Sequence, residues 1–340
     1  MTAAVFLSPG ACEIIARQTP TPPEGSVLVR VAACGVCGTD VHIYRGEFPN
    51  ARFPLVAGHE LAGVIEATGP NVPYLRSGDH VAIDPNMPCG ACRPCRRGLG
   101  HLCPNLAALG VTMDGGFSTH CVVPARQAYK LPKDLPLLVS AMTEPVSCCV
   151  HGIEKAHLRP GDVVAIIGAG MIGLIMIQLA LLQGAAAVIV SELEPRKREM
   201  AVKLGATQAL DPRTEDLHGA IAKVTGGAGA DAVIECVGGE GTAQQAVSLA
   251  GEAGTVLLFG VAPEAARITV SPYDIYRREI TLSGSFTNPH TFDAAIALLQ
   301  SGRLRVEEMI SHRLALSDLP DAITLIESRQ AMKVMVGPQA

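Results

Sequence analysis

The chain has few charged residues and no excess of basic ones. Only 17% of its 340 residues are charged, and 27 lysines and arginines against 32 aspartates and glutamates give a formal net charge of −5. Such a composition lacks the basic surface field that attracts nucleic acids or anionic membranes. It therefore argues against a nucleic-acid or membrane partner and favours a small, neutral ligand.

The first residues, MTAAVFLSPGACEII, lack the charged start and the long apolar core of a secretion signal. The eleven cysteines are also an odd number, which does not suit a framework of paired disulfides. We therefore expect a protein of the reducing cytoplasm, without disulfide bonds.

One long stretch lacks charge altogether, from Val163 to Val190. By length alone it could span a bilayer, but two glycine breaks interrupt it and no bias of lysine or arginine flanks it. It predicts instead a strand to Ile167, a glycine turn, an apolar helix up to Gly184, and a second strand. Strands of a parallel sheet are covered on both faces and can be uncharged throughout. A membrane span remains the less favoured alternative.

The glycine turn of this unit has the spacing G-x-G-x-x-G, typical of dinucleotide-binding turns that place a pyrophosphate at a helix N-terminus. Glu192 ends the next strand, where a carboxylate can accept hydrogen bonds from ribose hydroxyls and repel a 2′-phosphate, so NAD is favoured over NADP. Arg196 and Arg198 follow on the next helix and keep NADP open, although solvated surface charges are their more common interpretation. The predicted cofactor-binding residues are Gly168, Gly170, Met171, Ile172, Gly173, Glu192 and Arg196.

The length predicts two domains. Strand and helix patterns alternate after residue 152, as in a doubly wound parallel sheet. Short β-branched strands separated by glycine and proline fill the chain from about Ser26 to Tyr129, which suggests a β-rich, barrel-like domain. We therefore predict an α/β protein with one domain of each kind.

Four cysteines lie close together in CGACRPCRRGLGHLC: Cys89, Cys92, Cys95 and Cys103. Four thiolates at such spacing can close a tetrahedron around zinc and leave no open position, as in structural zinc sites. An iron–sulfur cluster or free buried cysteines are the alternatives.

A second candidate metal site is dispersed along the sequence: Cys37, His59, Glu60 and Glu144. One thiolate, one imidazole and one carboxylate are suitable ligands for a catalytic zinc that keeps a position open for substrate. Sequence distance does not show that these residues meet, and a lone histidine or glutamate is more often an ordinary structural residue.

Several of these segments occur in one order: GVCGTDVH, GHELAGVIEATG, GDHVAIDP, the four-cysteine segment, TEPVSCCVH and GAGMIG. In that order, and over essentially the whole chain, the sequence resembles the zinc-dependent medium-chain alcohol and polyol dehydrogenases. The resemblance implies a GroES-like catalytic domain at residues 1–151, a Rossmann NAD-binding domain at residues 152–289, and a segment at 290–340 that returns to the catalytic domain. It also implies an active site in the cleft between the domains.

The resemblance further implies roles for single residues. Cys37 and His59 ligate the catalytic zinc, and Glu144 stands where simple alcohol dehydrogenases have a second cysteine, as in sorbitol dehydrogenase. Glu60 either ligates the zinc or acts from beside it, and Thr39 and His42 relay the proton of the alcohol. Asp40 is interpreted as a local structural carboxylate.

The expected function is the reversible oxidation of a secondary hydroxyl of a small polyol or vicinal diol by NAD, with one catalytic and one structural zinc per subunit. L-Threonine 3-dehydrogenase and 2,3-butanediol dehydrogenase are the alternatives among enzymes. A non-catalytic redox sensor that binds NAD and zinc is a remote alternative, since it gives no reason for the Thr39 and His42 pair. The resemblance also implies a homodimer or homotetramer.

Overall fold

The structure, a computed structural model, describes residues 1–48 and 51–338. The chain forms two compact units, called here the first and the second unit. The first unit comprises Met1–Ser147 together with the chain from Pro289 onward, and the second unit comprises Cys148–Asn288.

The chain up to residue 155 consists mainly of short strands. The elements are β1 (Thr2–Ser8), β2 (Ala11–Ala16), β3 (Ser26–Val36), α1 (Gly38–Tyr44), β4 (Glu60–Thr68), β5 (His80–Ile83), β6 (Asn86–Met87), α2 (Arg93–Arg96), β7 (Ala107–Ala108), β8 (His120–Pro124), β9 (Ala128–Lys130), α3 (Leu137–Ser140) and α4 (Thr143–Lys155). Helix α4 contains both the observed boundary at Cys148 and the limit of residue 151 expected from the sequence. No loop marks this boundary, so no turn signal could locate it.

Strands and helices alternate in the second unit. The elements are β10 (Val163–Ile167), α5 (Met171–Leu182), β11 (Ala187–Ser191), α6 (Pro195–Lys203), β12 (Gln208–Leu210), α7 (Leu217–Thr225), β13 (Ala230–Glu235), α8 (Glu240–Leu249), β14 (Ala250–Leu258), α9 (Pro272–Arg278) and β15 (Thr281–Gly284). The remaining elements belong to the first unit: α10 (Phe292–Gln300), β16 (Ile310–Ala315), α11 (Leu319–Glu327) and β17 (Lys333–Gly337).

The main sheet of the first unit has the strand order β16-β17-β3-β4-β5-β9, with β8 also paired to β3. Apolar side chains of its strands and of α11, such as Val31, Ile65 and Ile323, form the core of this unit. The antiparallel register sets Gly35 of β3 opposite Glu60 of β4 and, on its other side, opposite Met335 of β17. The C-terminal strand therefore lies directly beside the strand that leads to Cys37.

The sheet of the second unit is parallel, with the order β12-β11-β10-β13-β14-β15. The order reverses between β10 and β13, as in a dinucleotide-binding sheet. The strands of this sheet pack on α7 and α8 through side chains such as Ile189, Ile221 and Leu249. The predicted α/β fold class is confirmed.

The charge-free stretch forms β10, α5 and β11, as the sequence predicts. Among the residues that the structure describes, no helix is both long enough and apolar enough to cross a bilayer. The stretch from Val163 to Val190 lacks charge because it is buried: every residue of β10 and β11 lies inside the parallel sheet.

Candidate functional site

Three of the dispersed metal-ligand candidates meet in the first unit. Cys37 precedes α1, and His59 and Glu60 lie where β4 begins. One donor atom from each lies within 4.8 Å of the other two. His59 and Glu60 are almost fully buried, with 6% and 1% exposure. A half-buried thiol, a buried imidazole and a buried carboxylate thus converge.

Asp40 supports this cluster from α1. It is fully buried, and its carboxylate accepts hydrogen bonds from the backbone N–H groups of Cys37 at 2.9 Å and Gly58 at 3.2 Å. Its Oδ1 also lies 3.4 Å from Nδ1 of His59, a distance that allows charge attraction without a well-formed hydrogen bond. Asp40 therefore fixes the backbone on both sides of the cluster and faces its imidazole.

The electrostatics of the cluster favour a cation. Burial lowers the pKa of His59, but the charge of Asp40 and the neighbouring Cys37 thiol outweigh it, so the pKa of the imidazole is raised well above its usual value. Nδ1 of His59 also lacks a hydrogen-bond partner among the described residues. A cluster that joins three ligand types, with a carboxylate facing the imidazole ring, fits a zinc ion.

Lys333, which the sequence analysis missed, completes the surroundings of Glu60. Its ammonium forms an ion pair with Oε2 of Glu60 and donates to the Val36 carbonyl at 3.2 Å. Both side chains of the pair are only 1% exposed. Burial lowers the pKa of Lys333, but the charges of Glu60, Cys37 and Asp40 outweigh it and raise that pKa. The only available sequence signal was a lysine at the head of the apolar strand KVMVG.

Gly35 makes room for this ion pair. A Cβ atom at Gly35 would overlap Oε2 of Glu60 and would lie 2.7 Å from Cε of Lys333. Because the register sets Gly35 directly opposite Glu60, the missing side chain lets carboxylate and ammonium meet across β3.

Glu144, the further ligand implied by the resemblance, is the second residue of α4 and is buried. It is not part of the set of mutually close donors, which consists of Cys37, His59 and Glu60. Glu60, adjacent to His59 in sequence, takes the carboxylate position of that set. The ligand role of Glu144 stays a prediction.

Thr39 and His42 lie three residues apart on α1 and therefore share a face of the helix. Thr39 is half-buried near Cys37, whereas His42 is exposed, with Nδ1 2.7 Å from Oε2 of Glu47. This face of α1 leads from the donor cluster towards solvent. The relay role of the two residues stays a prediction.

The four clustered cysteines form a second set of donors. The sulfur atoms of Cys89, Cys92, Cys95 and Cys103 all lie within 4.8 Å of one another as free thiols. Cys92 Sγ is 3.3 Å from Cys95 Sγ and 3.7 Å from Cys103 Sγ. A zinc–thiolate tetrahedron with bonds of about 2.3 Å has edges of roughly 3.8 Å. The spacing therefore fits a tetrahedral ion.

In the four-cysteine cluster, the thiols of Cys89 and Cys92 have pKa values shifted in opposite directions. Backbone N–H groups of Ala91 and Cys92, together with the Cys103 thiol, lower the pKa of Cys89 to about 6. The Cys95 backbone N–H favours the Cys92 thiolate, but desolvation and the three neighbouring thiols outweigh it and raise the pKa of Cys92 to about 12. A charged thiolate thus disfavours ionisation of the neighbouring thiol, and a bound divalent cation would offset this repulsion.

We expect Cys95→Ala to lower thermal stability before it affects chemistry, because a closed metal site contributes its binding energy to folding. A loss of about 2 kcal/mol would lower Tm by roughly 3 °C in a protein of 340 residues, because the entropy of unfolding is about 2.1 cal/mol/K per residue. Calorimetry with parallel zinc analysis measures it. Cys12→Ala, a change on strand β2 outside the four-cysteine cluster, is the matched control and should keep the zinc content. An unchanged Tm and zinc content for Cys95→Ala would contradict the assignment.

The glycine turn of the second unit has the form that a pyrophosphate requires. Gly168 adopts φ +94°, and a Cβ atom at Gly173 would overlap the Gly168 carbonyl, so neither position accepts a side chain. Gly170 precedes α5, and no described heavy atom other than its chain neighbours lies within 4 Å of its Cβ position. Met171 and Ile172 begin the helix. The turn is thus an open cradle at a helix N-terminus.

Glu192 borders this cradle. Its Oε2 accepts the backbone N–H of Ala169 at 2.7 Å, and its Oε1 accepts that of Glu194 at 2.9 Å. A carboxylate keeps further lone pairs for ribose hydroxyls. Arg196 is exposed on α6, whereas Arg198 is tied to the Glu192 carbonyl at 2.8 Å. Arg198 therefore stabilises the backbone at Glu192.

Comparison with known proteins places this geometry in a family. Residues 23–133 match the model of the alcohol dehydrogenase GroES-like domain, and residues 172–301 match that of the zinc-binding dehydrogenases. D-Arabinitol dehydrogenase 1 of Uromyces fabae is 36% identical over 341 residues, which cover 99% of this chain and 97% of that protein. L-Threonine 3-dehydrogenase of Pyrococcus horikoshii is 35% identical over 320 residues, covering 92% and 91%.

A solved structure agrees closely. The crystal structure of a proposed zinc-binding dehydrogenase from Sinorhizobium meliloti 1021, bound to NADP, has a TM-score of 0.96 and 39% identity, and the match covers 99% of both chains. These matches confirm the resemblance seen in the ordered motifs. The chain belongs to the family of zinc-binding alcohol dehydrogenases with a GroES-like domain.

Proposed function

We propose that this dehydrogenase oxidises a secondary hydroxyl of a small polyol reversibly to a ketone, with NAD as hydride acceptor. The observation that carries the proposal is the convergence of the donor atoms of Cys37, His59 and Glu60 within 4.8 Å of one another. The relationship to D-arabinitol dehydrogenase 1, at 36% identity over nearly the whole chain, supports a polyol as the substrate class.

Cys37 and His59 would hold the catalytic zinc, with Glu60 or Glu144 as the carboxylate ligand. When bound, zinc supplies a Lewis acid that favours loss of the alcohol proton near neutral pH. The second unit would hold the nicotinamide cofactor at Gly168, Gly170 and Gly173. When bound there, the cofactor would supply the acceptor for the hydride.

The protein side chains supply position, charge and a path for the proton. Asp40 faces the His59 ring and fixes the backbone of Cys37, so that two donors keep their orientation. Lys333 balances the charge of Glu60. Thr39 takes the alcohol proton through its hydroxyl, and His42, exposed on the same face of α1, passes it to solvent.

NAD is proposed over NADP because Glu192 places a carboxylate beside the glycine turn, where a 2′-phosphate would be repelled. The structure related at 39% identity is bound to NADP, so this preference needs a direct test. The exposed Arg196 on α6 is the nearby cation that could favour NADP.

For Glu192→Ala we expect the KM for NAD to rise roughly 10–100-fold, since hydrogen bonds to a charged group contribute about 1.5–3 kcal/mol. The KM for NADP should fall or stay constant because the repulsion is removed. Initial rates with both cofactors measure the ratio. Glu199→Ala, which removes an exposed carboxylate of α6, is the control and should leave the KM for NAD within about twofold. If the NAD to NADP ratio were unchanged in Glu192→Ala, Glu192 would not be the discriminating residue.

L-Threonine oxidation is the second candidate, because L-threonine 3-dehydrogenase of Pyrococcus horikoshii is 35% identical to this chain. The two substrate classes are separated by initial rates of nicotinamide reduction on D-arabinitol, sorbitol, xylitol, 2,3-butanediol, L-threonine and simple alcohols. Preference for the polyols supports the proposal. Preference for threonine or butanediol replaces it with the corresponding alternative.

We propose two zinc ions per subunit, one in each donor set. We also propose that the subunits form a homodimer or homotetramer. The oligomer is supported by β15, an edge strand of the second unit's sheet, which leaves Leu282 41% exposed. Tyr273 and Tyr276 on α9 are also exposed, at 68% and 79%. A second copy paired at this edge would cover an otherwise open strand. Sedimentation velocity would test the assembly.

A further inference from the structure

We infer that Glu235 is a positioning residue: its buried carboxylate holds the loop after β13 against the loop after β14 in the shape that receives the nicotinamide half of the cofactor. This inference rests on the proposed use of a nicotinamide cofactor at the glycine turn.

Glu235 is the last residue of β13 and is 1% exposed. Its Oε1 accepts hydrogen bonds from the backbone N–H groups of Val237 at 2.8 Å and Gly238 at 2.9 Å, and from the Thr242 hydroxyl at 2.8 Å. Its Oε2 accepts the Gly238 N–H at 3.1 Å. The loop that leaves β13 is therefore wrapped around one carboxylate, and the hydrogen bond from Thr242 connects this carboxylate to the first turn of α8.

The same residue also holds the neighbouring loop. The backbone carbonyl of Glu235 accepts the N–H groups of Phe259 and Gly260, both at 2.9 Å. Phe259 and Gly260 directly follow β14. The side-chain carboxylate and the backbone carbonyl of Glu235 thus both accept hydrogen bonds from backbone N–H groups at the carboxyl edge of the sheet.

The two loops touch backbone to backbone. A Cβ atom at Gly260 would overlap the nitrogen of Gly238 and lie 2.8 Å from Oε2 of Glu235. Gly238 has φ +82°, and a Cβ atom there would overlap the carbonyl oxygen of Val261. Side chains are excluded from this contact, so the polar groups of the carboxylate set its geometry.

The strand order assigns this edge to the nicotinamide half of the cofactor. The glycine turn follows β10, and Glu192, beside β11 on one side, marks the adenosine half. The order reverses at β10, so the other half of a dinucleotide extends over the ends of β13 and β14. The β13 loop borders the turn directly, since a Cβ atom at Gly168 would lie 2.7 Å from Cγ2 of Val237.

A carboxylate is a costly way to close a loop that serves stability alone, because burying a charge is unfavourable unless several donors compensate it. Here backbone and hydroxyl donors do so, as charge-assisted hydrogen bonds that fix position better than neutral ones. Rigid placement of the surface that meets the reacting ring reduces the ordering that binding would otherwise require.

The test compares two ligands that share the adenosine and pyrophosphate groups. In Glu235→Gln, an amide NH₂ replaces one of the acceptor oxygens, which must then face N–H donors. We expect the Kd for NADH, measured by its fluorescence, to rise about tenfold or more. The Kd for ADP-ribose, which has no nicotinamide and is measured by calorimetry, should stay within about twofold.

Asp231→Asn is the matched control. Asp231 lies at the opposite end of the same strand, where its carboxylate accepts the Val163 N–H at 2.7 Å. This variant should leave the ratio of the two dissociation constants unchanged, even if thermal stability falls. If Glu235→Gln does not fold, Thr242→Val removes one of the donors and should raise the Kd for NADH selectively by about threefold.

Equal weakening of NADH and ADP-ribose in the folded Glu235 variant would show a purely structural role and overturn the inference. So would unchanged binding of both ligands. Failure of the wild-type protein to bind NADH at all is a different result, since it would overturn the proposed function together with this inference.

Discussion

Cys37→Ala is expected to lower turnover by at least about 10³-fold while cofactor binding persists. The change removes the thiolate from a donor set of three, and a catalytic zinc contributes several kcal/mol to the reaction, each 1.36 kcal/mol being a factor of ten in rate. The glycine turn lies in the second unit, so NADH affinity should stay within about twofold. Zinc analysis should show the loss of the zinc held by this cluster.

Cys34→Ala is the matched control for this prediction. Cys34 is a fully buried cysteine of β3 that does not belong to the donor set. Its loss should cost some stability but neither zinc nor most of the turnover. If Cys37→Ala kept normal zinc content and normal rates, the assignment of the catalytic metal site would be wrong.

Lys333→Met is expected to destabilise the protein by about 3–5 kcal/mol, because it leaves the Glu60 carboxylate buried without its counter-charge. Both side chains of this pair are 1% exposed, so solvent cannot replace the lost partner. Urea unfolding followed by circular dichroism measures the free energy of unfolding. Methionine keeps most of the apolar volume, so little of the loss would come from a cavity.

The double variant Glu60→Gln with Lys333→Met distinguishes charge from packing. If the cost of Lys333→Met is an uncompensated carboxylate, neutralising Glu60 should restore at least about half of the lost stability, which a double-mutant cycle quantifies. A loss below about 1 kcal/mol in Lys333→Met would mean that the ion pair contributes little. No recovery in the double variant would assign the loss to packing.

The fold of the second unit was predictable because its signals are local. The uncharged run from Val163 to Val190 contains two buried strands and a buried helix, and glycine marks the turns between them. A parallel sheet needs apolar strands on both faces, so composition and turn residues together predict it. The boundary between the units was not predictable in this way, because helix α4 continues without a break through Cys148, where the second unit begins.

The donor cluster was predictable only in part. Cys37, His59 and Glu60 are chemically suitable ligands, but their meeting depends on the register that sets Gly35 opposite Glu60. Register is fixed by packing across the whole sheet, and a short sequence window does not contain it. The family resemblance indicated that Cys37 and His59 belong to one metal site, which their spacing in the sequence did not show.

Lys333 and Glu235 could not be found from local patterns. Lys333 contacts Glu60 across 273 residues because β17 pairs with β3. Glu235 ends a buried strand, where a carboxylate has no distinctive neighbours in sequence. Its donors come from a loop whose backbone turns back on it. Both residues are buried charges, and their partners are visible only in the folded chain.

We propose that polyol oxidation by this protein depends on a nicotinamide cofactor and on zinc held by the Cys37 cluster. The most direct test is the initial rate of NAD reduction with D-arabinitol and with sorbitol, measured on the purified protein, after chelation of zinc, and after zinc is added back. We expect turnover of at least one of the two polyols, its loss on chelation, and its recovery when zinc is added back. Polyol oxidation that persisted at full rate in metal-free protein, or an absence of oxidation of either polyol by the zinc-loaded protein, would contradict this proposal.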